Sequence, residues 1–352
     1  MLLAFSLLST AFAAGAVAVS PEVDANVQAP CWSPDGGKLA YELNYYQKKT
    51  VELYIIDHGK PPVKVNPVAR GASGATAGFN TTAGNAAVVA EVSWAPASLN
   101  SFVFTAAGPD RDLDLWLYPS TKLATSPGAD GGAAWSPDGK LIAFTSARSG
   151  EGDIYLLDAS DLAGAPRQIT REPTSSELYV AWSPDSKKLA YVAHDKVGDS
   201  IYLVDNLSSP APKAIVRLGN TQTHPTFSPD GSQIAFYSNH EDPSRFDLYV
   251  APLGGQPRLL SKGVVINVHG PQWMPDGQSI VFVADDDNRF DPVLQVPVAG
   301  GPAKPVPTRT VGNGDHDLVK AADGTVWLAV AAQGELKGTD RDFKRVFIMQ
   351  MP

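Results

Sequence analysis

An all-β fold built from tandem antiparallel sheets is what this sequence predicts, and three observations carry the prediction. A five-residue turn motif recurs along the chain at a near-constant interval. Alternating apolar and polar runs rich in Val, Ile, Tyr and Phe follow each copy, the pattern of half-buried strands. Glycine and proline, 31 and 29 of the 352 residues, both end helices and populate turns.

The motif is "WSPDG" at Trp32–Gly36 and Trp135–Gly139, with variants "WSPDS" at Trp182–Ser186, "FSPDG" at Phe227–Gly231 and "WMPDG" at Trp273–Gly277. A degraded copy, "WAPAS", occupies Trp94–Ser98, and a last trace, "KAADG", occupies Lys320–Gly324. Taking the fourth position of each as a marker gives 35, 97, 138, 185, 230, 276 and 323, mostly 41 to 47 residues apart. That period is the length of one blade of a β-propeller. Seven units predict seven four-stranded blades; a six-bladed ring is the alternative.

Unit 3 displays the pieces of a blade. A short segment enters at Ala133–Trp135, Ser136–Gly139 turns the chain, and Leu141–Ser146 alternates as a strand. "DIYLLD" at Asp153–Asp158 is the next strand and "RQIT" at Arg167–Thr170 the outermost. Pro137 presets φ for the turn, Asp138 suits its third position, and Gly139 supplies positive φ. Ser186 replaces that Gly in unit 4 and is expected to sit under mild strain. Unit 2 loses the pattern after Pro96, so its turn is expected to differ.

A lone four-stranded sheet cannot bury both of its faces, whereas blades stacked about an axis can. The Trp or Phe before each turn is placed to pack on a neighbouring blade. The last unit holds only "TVWLAVAA" and "RVFIMQM" after its turn. Residues Ala16–Ser20 are expected to add the missing strand and close the ring. Unit 1 carries an insertion, Asn66–Val92, whose Gly/Ala/Thr-rich part reads as a surface excursion able to grip a partner.

Composition narrows the function. The net charge of −9 and pI near 5.1 argue against nucleic acid and anionic membrane surfaces, which need a basic face. Residues 1–20 have no charged side chain. Leu2–Phe12 reads as the apolar core of a secretory signal and Ala11-Phe12-Ala13 as its cleavage pattern, although no Lys or Arg precedes it. The domain reading is therefore a signal peptide at 1–14 and one propeller over 15–352, with a membrane anchor reaching Val19 as the alternative. Cys31 is the single cysteine and is read as a buried structural thiol.

The chain has no Gly-x-Ser-x-Gly elbow, no HExxH helix and no GxxxxGK phosphate loop. Of the six histidines, His224, His269 and His316 lie just before the turns of units 5, 6 and 7. On adjacent blades at one channel mouth they would form a metal site, with Asp317 or Gln272 completing it. His269 and His316 are seven positions before their markers and His224 six, an offset expected to turn His224 away from the other two. Asp285, Asp286, Asp287 and Asp291 share one loop, and Asp285, Asp287 and Asp291 are candidate calcium ligands. "DRDLD" at Asp110–Asp114 is a second acidic loop.

The units "AAWSPDGKLIAFTSARSGEGDIYLLDA" and "PTFSPDGSQIAFYSNHEDPSRFDLYVAPLGGQPRLL" resemble the TolB-type propeller repeat. That repeat occurs in periplasmic TolB, in the propellers capping prolyl oligopeptidases and in oligogalacturonate lyases. The resemblance spans roughly residues 28–350 and implies fold more than function, because the motif residues make turns and blade contacts. TolB itself has a small α/β domain before a six-bladed ring. About thirty residues precede the first repeat here, so the role of that domain is not expected. Oligogalacturonate lyases bind metal through histidines on a seven-bladed ring, which would imply Mn²⁺ at His224, His269 and His316.

The sequence reading is an exported, non-catalytic scaffold, periplasmic or secreted. It binds a protein partner through a channel mouth or the 66–92 insertion, is peripheral to the membrane at most, and needs no cofactor. The rival is a metal-dependent carbohydrate-active enzyme or sugar-binding propeller using the three histidines, with Mn or Ca as the ion. A structural module of a larger envelope complex is a third reading.

Overall fold

The computed structural model describes the chain apart from residues 1–15, 22, 46, 48–49, 58–59, 66–88, 97–98, 108–112, 120, 124–125, 127, 172–174, 287–289 and 336–343. The signal segment, nearly all of the unit 1 insertion, the marker position of unit 2, Asp287 and Asp110 lie outside the described residues.

Each repeat forms one antiparallel meander. Repeat 3 runs Asp130–Trp135, Leu141–Ser146, Asp153–Asp158 and Arg167–Gln168, in that spatial order. Repeats 1 and 2 have the same order, starting from Asn26–Trp32 and Val89–Trp94. Repeats 4 and 5 are linked into one larger sheet by a short parallel pairing, Gly198 with Asn220 and Asp199 with Thr221. In repeat 6 the inner strand is split into Val264–Val265 and Gln272–Trp273.

The N-terminal strand is where the sequence placed it. Val17–Ala18 pairs antiparallel with Arg345–Gln350, the outermost position of repeat 7. The junction has further ties. Val19 N–H donates to Val346 O at 2.8 Å, Val346 N–H to Ser20 Oγ at 2.9 Å, and Arg345 Nη2 to Ser20 O at 2.9 Å.

The core lies between sheets. Alternation on the second strand of each repeat sends side chains to both faces, and Tyr41, Phe104, Phe144, Tyr191, Phe236 and Phe282 are all fully buried. Three of them stack on a third-strand tyrosine at the same 5.7 Å centroid distance: Tyr41 on Tyr54, Tyr191 on Tyr202 and Phe236 on Tyr249. Each such ring removes about 150–250 Å² from water. Apolar clusters join each sheet to the next, and one joins Trp32, Leu39 and Tyr41 of repeat 1 to Ala329, Val346 and Ile348 of repeat 7. The tryptophans before the turns act as expected. Trp94 Nε1 donates to Cys31 O at 3.1 Å, Trp182 Nε1 to Ala134 O at 2.9 Å and Trp273 Nε1 to Thr226 O at 3.3 Å, each reaching the preceding repeat.

The motif's polar residues lock the turn. In repeat 3, Ser136 Oγ donates to Asp138 Oδ1 at 2.7 Å and accepts Leu141 N–H at 2.9 Å, while Asp138 Oδ1 accepts Lys140 N–H at 3.1 Å. The same bonds recur at Ser183–Asp185 and Ser228–Asp230. Ser186 adopts φ of 60°, the strained left-handed region, and its Oγ accepts Asp138 N–H at 3.0 Å. The unit 2 turn does differ: Ala95 N–H reaches one residue further, to Ser101 O, and the tight bond shifts to Leu99 N–H and Pro96 O.

Candidate functional site: an axial cavity

The inner strand of repeats 1 to 5 does not stay in register. Its pairing shifts between Gln28 and Cys31, Ala90 and Ser93, Gly131 and Ala134, Leu178 and Ala181, and Thr223 and Thr226. Each shift is a bulge holding one left-handed residue: Ala29 (φ 48°), Glu91 (61°), Gly132 (61°), Tyr179 (55°) and His224 (50°). All five stand six positions before their marker, and Gly270 (φ 75°) holds the same place in repeat 6. Asp317 is its counterpart in repeat 7, on a strand that pairs without a shift.

These bulges surround a cavity of about 270 Å³ lined from repeats 1 to 6. One arc is acidic and hydrogen-bonded from repeat to repeat. Glu42 is buried, accepts Gln28 Nε2 at 2.9 Å and also takes the backbone N–H of Glu91. Glu91 Oε2 accepts Gly132 N–H at 2.6 Å. Behind Ala29, Asp315 Oδ2 accepts its N–H at 3.1 Å, and Asp317 Oδ2 accepts Trp32 N–H at 2.7 Å. At Ala29, Glu91 and Gly132 the left-handed residue turns its N–H out of the sheet ladder, and a carboxyl from the preceding repeat receives it. Burial pushes the Glu42 carboxyl up to about 8, with the Asp315 and Glu91 charges adding to it. Burial also raises Glu91 and Asp317, against the stabilising influence of neighbouring N–H donors and His269.

The opposite arc is aromatic. Tyr179 and His224 lie with ring centroids 3.9 Å apart. His224 Nδ1 pairs with Thr223 Oγ1 at 2.8 Å. Burial, and then the nearby His269, lower its imidazole to about 3, so the ring is neutral at physiological pH. His269 lines the same cavity, and its Nε2 is buried without a hydrogen-bond partner among the described residues.

The expected pairing of histidines is therefore reversed. His224 and His269 share the cavity despite their one-position offset, because the bulge re-aims His224. His316 is fully buried outside the lining. Its Nδ1 faces Gly314 O at 3.2 Å and its Nε2 faces Val281 O at 3.3 Å. Gln272 Nε2 is spent on the carbonyls of His269 and Gly270, and Asp317 on backbone N–H groups. Among the described residues no three His, Cys, Asp or Glu side chains gather as a metal-holding set.

In the acidic loop, Asp286 Oδ1 accepts the N–H groups of Phe290 and Asp291 at 3.2 and 3.3 Å. Burial and the Asp286 and Asp285 charges raise the Asp291 carboxyl. Asp114 of the second acidic loop is buried against Lys122 at 2.7 Å. Cys31 is tucked against Val92 O, and burial pushes its thiol up.

The sequence reading missed Glu42 and Glu91. The signal for Glu91 was available: it shares the position six before the marker with His224. Nothing in the motif pointed to Glu42, which lies on the second strand.

Tandem four-stranded meanders around an axial cavity define a β-propeller. Residues 155–340, more than half of the chain, match the TolB beta propeller domain, and the chain belongs to that family. Among solved structures, TolB from Acinetobacter baumannii is 19% identical with a TM-score of 0.53, over 77% of this chain and 66% of that one. Oligogalacturonate lyase from Vibrio parahaemolyticus is 13% identical with a TM-score of 0.63, over 96% and 93%. A puromycin-hydrolyzing peptidase from Mycobacterium tuberculosis is 14% identical with a TM-score of 0.53, over 70% and 44%. The chain thus spans about two thirds of that TolB and under half of that peptidase. At these identities the likeness is one of fold. No curated protein sequence matches the chain.

Proposed function

We propose that the chain is a seven-bladed ring closed by Val17–Ala18, exported to the periplasm or secreted, that acts as a non-catalytic scaffold and grips a protein partner at the mouth of its axial cavity. The observation that carries this reading is the use of the axial carboxyls. Glu42, Glu91, Asp315 and Asp317 each receive a backbone N–H from the next repeat round the axis, so they hold the ring together and leave the cavity for binding. Closure is supported by the apolar cluster shared between repeats 1 and 7. Export is supported by the uncharged N-terminal run and the TolB resemblance. No helix among the described residues is long and apolar enough to cross a membrane.

The test is photo-crosslinking in the native host with a probe at Val180, which lines the cavity, against one at Val63, which is exposed on an outer strand. A discrete protein adduct from Val180 alone supports the reading; matching adducts from both sites, or none, end it. The rival metal-dependent or sugar-binding propeller needs His224, His269 and His316 at one point, and only two of them line the cavity. Stoichiometric Mn or Ca in the purified protein would reverse the preference.

A further inference from the structure

We propose that the axial cavity is a receptor for a small organic ammonium group, such as the end of a lysine side chain or a free alkylamine. The inference rests on the cavity being the binding site and names the chemistry that it selects.

The cavity wall is acidic on one side only. Glu42 and Glu91 line it, Asp315 stands behind Ala29, and among the described residues of the lining there is no Lys or Arg. A carboxylate without a counter-charge gains from a cation brought beside it, because the interaction is stronger away from bulk water, and a protonated carboxyl next to it can release its proton to the same effect. Glu91 is suited to this. Its Oε2 is engaged by Gly132 N–H and Thr105 Oγ1, and Oε1 has no bond among the described residues.

The opposite wall supplies a second, independent indication. His224 has only 9% of its surface exposed and lines the cavity. Its Nδ1 pairs with Thr223 Oγ1, and its other nitrogen, Nε2, has no hydrogen-bond partner among the described residues. His269 contributes a further unpartnered nitrogen. A polar edge left unpaired is costly, and with the neutral imidazole in the tautomer whose Nδ1–H donates to Thr223 Oγ1, Nε2 is an acceptor for an incoming N–H donor. Tyr179, packed at a tilt against His224, adds a π face of the kind that attracts ammonium groups. The volume of about 270 Å³ holds one such group and its alkyl stem, below the range of drug-sized ligands. A metal ion fits less well, since no three ligating side chains converge among the described residues.

Isothermal titration of the whole chain at neutral pH, with pentylamine and with Nα-acetyl-lysine methylamide, tests this. Each is run against its N-acetylated, uncharged counterpart. We expect at least one ammonium to bind about tenfold or more tightly than its uncharged counterpart. Glu91→Gln keeps the acceptor for Gly132 N–H and should weaken that binding about tenfold. His224→Gln is the second variant, since it leaves every carboxyl clasp intact. A preference for the lysine derivative assigns the source to a partner protein, and a preference for pentylamine assigns it to a free amine. Equal binding of charged and uncharged probes, or ammonium binding unchanged in both variants, overturns the inference. If the Val180 cross-link forms while neither ammonium binds, the cation fails and the scaffold reading stands; if both are absent, both fail.

Discussion

Glu42→Gln should convert a pH-dependent fold into one much less so. The Glu42 side chain is 2% exposed and sits where Gln28 Nε2 and the Glu91 N–H meet it. Burial comes first among the reasons its carboxyl moves from 4.5 to about 8. The folded state therefore holds a proton that the unfolded chain releases near pH 4.5. Its stabilising effect is complete below that pH and is lost as pH rises through about 8. At about 1.4 kcal/mol per tenfold step in acidity, the wild type should lose on the order of 4 kcal/mol from this one group between pH 5 and pH 9. Glutamine keeps the shape and the acceptor oxygen and never ionises. Urea unfolding of both proteins at pH 5, 7 and 9 gives the difference directly, and subtracting the wild-type curve removes contributions that the two share, such as Glu91 and Asp317. The variant should match the wild type within about 1 kcal/mol at pH 5 and exceed its stability by several kcal/mol at pH 9. A difference that stays flat from pH 5 to 9 would refute the reasoning, because it would mean that Glu42 is ionised in the fold.

The other predictions concern the frame. Ser20→Ala leaves the buried Val346 N–H without its acceptor and should lower stability by about 1–3 kcal/mol, read as the urea midpoint; an unchanged midpoint would mean that the N-terminal strand is not held there. Gly270→Ala would place a Cβ 2.8 Å from His224 O and 2.7 Å from Thr226 Cγ2 at φ +75°. It should cost about 2 kcal/mol or more in thermal unfolding, and a Tm within a degree of wild type would contradict this. Trp182→Phe removes the 2.9 Å bond to Ala134 O together with part of the indole's buried bulk, and a loss of about 1 kcal/mol or more is expected; a neutral result would mean that neither the bond nor that bulk supports the contact between repeats 3 and 4.

Much of the frame was legible because it is local and repeated. Ser136, Pro137, Asp138 and Gly139 form one turn through bonds that span no more than five residues, so every copy of the motif announces the same geometry. The N-terminal strand was legible for a different reason: a last unit with only three strands of its own left an edge to cover. The site was harder. Offset counting placed His269 with His316 and apart from His224, and the left-handed bulge at His224 inverted that arrangement. A bulge adds one residue to one strand and so reverses every facing inference made across it. His316 also fell on a strand with unbroken register, which turned it into the wall.

The sequence by itself determined the repeat length, the strand positions, the turn chemistry and the aromatic contacts between neighbouring sheets, since each depends on residues close together or on a period that recurs. Only the tertiary structure decided which side chains meet at the axis. Glu42 reaches Glu91 across 49 residues, Glu91 reaches Gly132 across 41, and Ala29 reaches Asp315 across 286. Those meetings are set by how successive sheets stack about an axis and by where a bulge frees a backbone N–H; the bulge keeps a fixed place before its marker, but the distant side chain that it meets leaves no mark on the local sequence.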